Sequence, residues 1–395
     1  MPERSPRGTD IPRLTWAEVC ARRLERHGLT GGAGHADPVR AVAAMAGTHA
    51  QVPGAAELAI GLRTEGATRS DVRAALWTER DLVRTFGLRG TVHLFPAADL
   101  PLWVAALSAV PQPPNNGFPE NVRMTPDQTE AVVAAVADAL AEAEEGLTVD
   151  ELSEEVVART GPWAGDLVMP AFQTKWPRWR QAMHLAGIRG HLCFGPNRGR
   201  KVTYTSPARF LPGDVGTTDR RAGLSHVVAA YLHAYGPSTP KRFAHWLGAP
   251  VRWAEEVFAA LGDGLEQVDV EGRTAWVTAG DTAPATAAPD SVHLLPHFDG
   301  YAYRVGNQPP ELLYPGRAAE RVLPGNFQPL LLDGAVAGLW HHRRSGRFLD
   351  VTVECLTPLT RSRRDELAHR ADRVGEILEA TPRLTLGPVS VGGHA

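Results

Sequence analysis

The strongest constraint in this chain is an order of elements that recurs along it. In LTWAEVCARRLERHG, Thr15 and Glu18 form a capping-box pattern, which predicts a helix start there. Asp37 followed by Pro38 reads as an N-cap and first helical position, and the helix they open is expected to end near Gly47. A third helix is expected over PGAAELAIGLRTE and a fourth, capped by Ser70, over SDVRAALWTE. Then the period changes. LVRTFGLRGTVHLFP alternates about a central glycine and reads as a β-hairpin.

The order returns twice. MTPDQTEAVVAAVADALAEA opens on Thr125, Pro126 and Gln128, and GLTVDELSEEVVART opens on Thr148 with Glu151 three residues on. A further helical stretch is expected through Trp176, Trp179 and Met183, then a hairpin over IRGHLCFGPNRGRKVTYTS with its turn at GPNRG. The next copy is tighter. LSHVVAAYLHAYGPSTPKRFAHWLGAPVRWAEEVFAALGDG predicts three helices, the middle one opened by Ser238 or Thr239 and Pro240, and LEQVDVEGRTAWVT a hairpin turning at EGR. Helix, helix, helix, hairpin is the winged-helix order, and its recurrence argues for tandem modules. After the Ala/Thr/Pro-rich linker TAGDTAPATAAPDS, β-rich segments with glycine turns and one amphipathic helix, DELAHRADRVGEILEA, indicate a small barrel or sheet. The expected fold is α+β: winged helices over 1–110, 111–215 and 216–280, then a β-barrel-like domain over 290–395.

Composition narrows the function classes. Hydrophobic residues make up 43% of the 395 positions and charged residues 22%, as in a folded soluble protein. No apolar run reaches the roughly 18 residues that cross a bilayer, and MPERSPRGTD lacks a signal-peptide core, so a cytoplasmic monomer with no membrane partner is expected. Cys20, Cys193 and Cys355 lie far apart, which excludes a disulfide framework and a CxxC zinc site. No metal or cofactor is expected: there is no Walker loop, HExxH, GxSxG or GxGxxG in a suitable context. The net charge of −3 gives no global nucleic-acid signal, yet arginines concentrate at 178–200, 209–221 and 343–347 and can hold phosphates locally.

Few side chains are placed for chemistry. His341 and His342 precede arginines and lack spaced carboxylates, so they read as surface. His93, on an alternating strand, reads as a hydrogen-bonded core residue. Asp299 caps a turn before Gly300 or pairs with His297. The exception is THAQVPG, where His49 and Gln51 stand two apart among small apolar neighbours. Alone, the pair reads first as capping the carbonyls at the end of the preceding helix, and only second as a site.

GTHAQVPGAAELAIGLR followed by LRGTVHLFPAADLPLW resembles the AlkZ/YcaQ-like winged-helix DNA glycosylases, and PHFDGY and PLLLDGAVAGLW fit the C-terminal barrel of that family. The resemblance spans nearly the whole chain. It implies three tandem winged helices and a barrel forming a concave DNA-binding surface. It also implies monofunctional excision of N7-alkylated purines, with interstrand crosslinks opened by some members. The family's catalytic motif resembles Gln-x-Gln or Gln-x-Asp. Gln51 matches the first form and His49 departs from it, as in relatives linked to self-resistance against DNA-alkylating antibiotics. His49 and Gln51 are then the catalytic pair.

That chemistry needs no carboxylate. Alkylation at N7 makes the base cationic and weakens the glycosidic bond, so the enzyme must hold a water and stabilise an oxocarbenium-like sugar. A carboxamide oxygen and an imidazole can each hold that water, and the imidazole can also accept its proton. The partner that the resemblance implies is double-stranded DNA carrying alkylated purines. Arg198, Arg200 and Lys201 are candidates for wing-to-phosphate contacts and Arg178 and Arg180 for contacts from a helix. His341, His342, Arg343 and Arg344 form a turn that could reach a minor groove. Asn115 and Asn116 could line a DNA-facing loop or a solvated turn. No lysine lies near HAQ in sequence, so no Schiff-base lyase step is expected. The competing readings are a winged-helix regulator or damage binder without catalysis, and a protein that sequesters the alkylating compound.

Overall fold

Caps decide where the helices of this chain begin. The computed structural model describes residues 11–30, 34–112, 118–171, 174–209, 211, 215, 218–285, 291–301, 310–325 and 327–390. Asn115 and Asn116 lie outside them. β1 (Arg13–Leu14) leads into α1 (Trp16–Arg26), where Glu18 N–H donates to Thr15 Oγ1 at 3.2 Å and Thr15 N–H donates to Glu18 Oε2 at 2.7 Å. The first repeat follows as α2 (Pro38–Ala44), β2 (Thr48–His49), α3 (Pro53–Gly61), α4 (Arg69–Trp77), β3 (Leu82–Phe86) and β4 (Val92–Pro96). Asp37 caps α2 as expected, accepting from Arg40 N–H at 2.8 Å. α4 starts earlier than the Ser70 cap predicted: Thr68 and Asp71 form the capping box, and the Ser70 hydroxyl donates to Glu379 instead.

α5 (Leu100–Ser108) connects to the second repeat, made of α6 (Pro126–Glu142), β5 (Leu147–Thr148), α7 (Val149–Thr160), β6 (Leu167–Ala171), β7 (Thr174–Pro177), α8 (Met183–Ile188), β8 (Cys193–Arg198) and β9 (Lys201–Thr205). The helix expected through Trp176 is corrected here. Trp176 lies on β7 of an additional hairpin, and Pro177 delays helical structure to a 3₁₀ turn over Arg178–Ala182 that runs into α8. The third repeat is α9 (Arg220–Tyr235), α10 (Pro240–Leu247), α11 (Val251–Leu261), β10 (Leu265–Val270) and β11 (Arg273–Thr278), with Thr239 capping α10.

The three repeats share one strand order. A short segment before the second helix of each repeat pairs with the last hairpin strand, giving β2–β4–β3 in the first repeat and β5–β9–β8 in the second. In the third, Ser238 bridges antiparallel to Trp276 of β11, which neighbours β10. The first repeat packs against both others. Phe95 and Trp103 share a core with Tyr231, Phe243 and Trp246, while Val42, Ile60 and Leu82 share another with Val132, Leu152 and Trp179.

The C-terminal part holds β12 (Val292–Leu294), α12 (Pro310–Leu313), α13 (Arg317–Val322), β13 (Gln328–Leu332), β14 (Ala335–Ser345), β15 (Phe348–Cys355), α14 (Arg361–Ile377) and β16 (Thr381–Leu386). The expected barrel is a half-barrel. Five strands in the order β12–β13–β14–β15–β16 curl without closing, and β12 and β16 remain its edges among the described residues. α14 crosses over between β15 and β16, which makes that pair parallel. Its Leu367, Ala371 and Val374 pack on Trp340, Val351 and Val353, and Leu58 of α3 enters the same core. A Cβ at Gly61 would lie 2.6 Å from the Ile377 side chain, so glycine lets α3 seat on α14.

Candidate active site

HAQ sits where the chain leaves a strand and enters a helix. Gly47, at φ +87°, turns the chain out of α2, and a Cβ there would lie 2.6 Å from the Phe95 ring. Thr48 and His49 then pair with Leu94 and His93 of β4. Ala50 is held from both sides: its N–H donates to Val92 O at 2.8 Å, and its carbonyl accepts from Arg84 Nη2 at 3.2 Å. Gln51 stands exposed, its Oε1 accepting from Val92 N–H at 3.4 Å. The end of α2 is closed by backbone, with Met45 N–H on Ala41 O and Gly47 N–H on Val42 O.

The next helix begins differently from its counterparts. α3 starts after Val52 with no side-chain cap. At the same joint of the other repeats, Thr148 Oγ1 accepts from Glu151 N–H at 3.4 Å and Thr239 Oγ1 from Arg242 N–H at 3.3 Å.

Two rings flank His49. His49 is half-buried, edge-to-face with His93 at 5.3 Å between centroids and tilted against Phe298 at 4.9 Å. Burial, and then the Arg89 guanidinium, lower its pKa to about 4. At pH 7 the imidazole is therefore neutral, with one ring nitrogen able to accept a proton. His93 is buried, as its strand position suggested, and its Nδ1 lies 3.0 Å from Thr91 O. A carbonyl only accepts, so Nδ1 carries the hydrogen.

Phe298 comes from the loop after β12, and sequence reasoning missed it. The neighbouring Asp299 is a larger departure. It accepts from Tyr301 N–H at 3.0 Å, in keeping with a turn role, but its main partner is Arg63, which reaches both carboxylate oxygens at 2.8 Å. Both side chains are fully buried. The partners are 236 residues apart, and nothing local announces them.

The family model for AlkZ-like DNA glycosylases matches residues 42–377. The chain belongs to the AlkZ-like DNA glycosylase family. It is 30% identical over 341 residues to an interstrand DNA cross-link repair glycosylase of Streptomyces sahachiroi, an alignment covering 83% of this chain and 88% of the relative. The solved structure of the DNA glycosylase AlkZ of the same organism matches with a TM-score of 0.77 at 26% identity, covering 95% of this chain and 100% of that one. A regulator without chemistry is thereby set aside: the chain is a DNA glycosylase, an enzyme of DNA repair.

The glycosylase divides its candidate DNA-contact residues by what already engages them. Arg178 donates to the carbonyls of Asn121 and Val122 at 3.0 and 2.8 Å and pairs with Asp166. Arg344 donates to Leu378 O at 2.8 Å and Glu379 O at 3.1 Å, closing the end of α14. Arg198 pairs with Glu151 at 2.7 Å and Lys201 with Asp150 at 3.0 Å. The Arg180 guanidinium lies 3.9 Å from the Trp176 ring centroid. Arg200, at the turn between β8 and β9, is exposed, and so is Arg343, whose contact with Asp350 is long at 3.9 Å. His341 and His342 are half-buried on β14, with burial and then His341 and His297 lowering His342 to about 4. Among the described residues no group of His, Cys, Asp and Glu could hold a metal ion. Among the described residues no helix is long and apolar enough to cross a membrane.

The buried histidines give the glycosylase a pH dependence. Burial pushes His93 and His293 to about 3 and His342 to about 4. All lie below the unfolded value near 6.5, so protons bind the unfolded chain first. Stability is full above about pH 6.5 and is lost below it, by about 1.4 kcal/mol per pH unit for each such histidine until its folded pKa is reached. Urea titration of the DNA-free enzyme should give a clearly lower midpoint at pH 5 than at pH 7. Equal midpoints would mean that these rings are already charged in the fold.

Proposed function

We propose that this glycosylase hydrolyses the N-glycosidic bond of N7-alkylated purines, bulky natural-product guanine adducts above all, with His49 and Gln51 as its catalytic pair. The observation that carries this reading is a neutral imidazole beside an exposed carboxamide, on a turn pinned between β4 and Arg84 of β3. Water oxygen bonds to C1′ of the sugar as the bond to the base nitrogen breaks. The electron pair of that bond discharges the cationic base, so the leaving group needs no proton. The proton lost by water passes to His49 and on to solvent. A group with a pKa of about 4 is a weak base. It serves first as an acceptor that aims the water, and takes the proton only as positive charge on the sugar makes that water acidic. Gln51 supplies a second acceptor oxygen, already oriented by Val92 N–H.

The shared strand order supports reading the three repeats as winged helices over 1–110, 111–215 and 216–280, ahead of a C-terminal domain over 290–395. In that reading the β8–β9 hairpin is a wing and Arg200 its phosphate contact, while Arg178 and Arg344 serve the fold. Arg200→Ala should weaken binding to all duplexes alike and reduce the salt slope by about one. An unchanged slope would move the DNA path away from this hairpin. The enzyme acts as a cytoplasmic monomer in this reading and protects the genome against an alkylating genotoxin.

The test is base release from a duplex carrying one N7-alkylguanine, comparing a bulky intercalating adduct with a methyl adduct. The interstrand cross-link on which the Streptomyces relative's name bears belongs in the same series. Faster release of the bulky adduct supports the proposal. Tight binding with no abasic product from any N7-alkylguanine would overturn the substrate assignment.

A further inference from the structure

The loop that presents Phe298 is held in a way that packing alone does not require. Phe298 has φ +60°, a left-handed conformation unusual for a bulky residue, which persists only where its surroundings enforce it. The next residue, Asp299, is clamped by both guanidinium nitrogens of Arg63 at 2.8 Å, with both side chains fully buried. Arg63 also donates to Ala59 O at 3.0 Å, which ties the clamp to α3. α3 is the helix that HAQ opens. One short helix therefore carries the catalytic turn at its start and the anchor of the Phe298 loop at its end. Buried ion pairs seldom add net stability over apolar substitutes, so such a pair is better explained by the geometry it fixes.

We propose that the Arg63–Asp299 pair positions Phe298 against the His49 ring, so that the C-terminal sheet sets the orientation and the dryness of the catalytic imidazole. Phe298 is a positioning residue here, as are Arg63 and Asp299. The proposal rests on the catalytic reading of His49. The titratable groups that face His49 are His93 on β4 and Arg89 between β3 and β4, with His297 one residue before Phe298; His342 reaches His297. The Arg89 charge lowers the His49 pKa. Water admitted by loss of the Phe298 ring would raise it.

The test reads His49 directly. In the full-length enzyme without DNA, the His49 ring is titrated by NMR in wild type, Phe298→Ala and the double variant Arg63→Met with Asp299→Leu, which removes the clamp and keeps the site apolar. Single-turnover base release and DNA binding are measured on the same proteins. The expected result is an upward shift of the His49 pKa by one unit or more in Phe298→Ala. The acid limb of the rate profile should move with it, release should slow about tenfold at pH 7, and DNA affinity should stay within twofold. The double variant should reproduce both effects. An unmoved His49 pKa and an unchanged rate in folded Phe298→Ala would overturn the positioning role while His49→Ala remains inactive. A fully active His49→Ala would instead sink the catalytic reading, and the positioning role with it.

Discussion

His49→Ala is expected to slow base release from an N7-alkylguanine duplex by about 10² to 10⁴, the range for a lost group that accepts a proton in the transition state. Binding of the same duplex should persist, because the imidazole is half-buried among His93, Phe298 and Arg89 and is neutral at pH 7. Gln51→Ala should also lose rate, and the double variant should lose less than the product of the two single losses if both groups hold one water. Removing Gln51 also leaves Val92 N–H without that acceptor, so its effect contains a small structural part. Single-turnover assays at saturating enzyme separate the chemical step from binding. Wild-type rates in both single variants would return the HAQ turn to a purely structural role.

Asp299→Ala should destabilise the fold by about 3–5 kcal/mol, because it strands the fully buried Arg63 guanidinium without its carboxylate. Tyr301 N–H loses its acceptor in the same step. Replacing both partners with apolar residues should cost less than removing either one, since no buried charge then remains. Urea unfolding of the single and double variants measures the difference. A double variant less stable than Asp299→Ala would show that the pair itself contributes net stability.

The legible parts of this molecule were those written in neighbouring residues. Thr15 with Glu18, Thr125 with Gln128 and Thr148 with Glu151 each close a capping box that a spacing of three residues predicts. The hairpins over 82–96 and 265–278 follow from alternation about glycine-bearing turns. The short strands β2 and β5 were invisible, because two residues carry no period and their pairing is set by a hairpin that lies tens of residues later. Trp176 was misread because a Trp at helical spacing cannot be told from one on a strand until Pro177 is weighed. Barrel closure was overestimated, since strand content says nothing about whether the first and last strands meet. HAQ stood out through its polarity in an apolar setting. Phe298 and Arg63 could not, because each gains its role from a partner across the fold.

The bare start of α3 bears on how a repeated architecture hosts an enzyme. Two of the three equivalent joints keep a threonine that ties down the following helix, and the third has Val52 in that place, directly after HAQ. A missing cap costs about 1 kcal/mol, a noticeable share of the 5–15 kcal/mol that holds a typical domain together. The first repeat shares its interior with both siblings, so the deficit is spread over a larger cooperative unit. With HAQ as the catalytic turn and the β8–β9 hairpin as a wing, labour is divided among like parts: the two siblings brace the copy that does the chemistry, and one of them also lends it a grip on DNA.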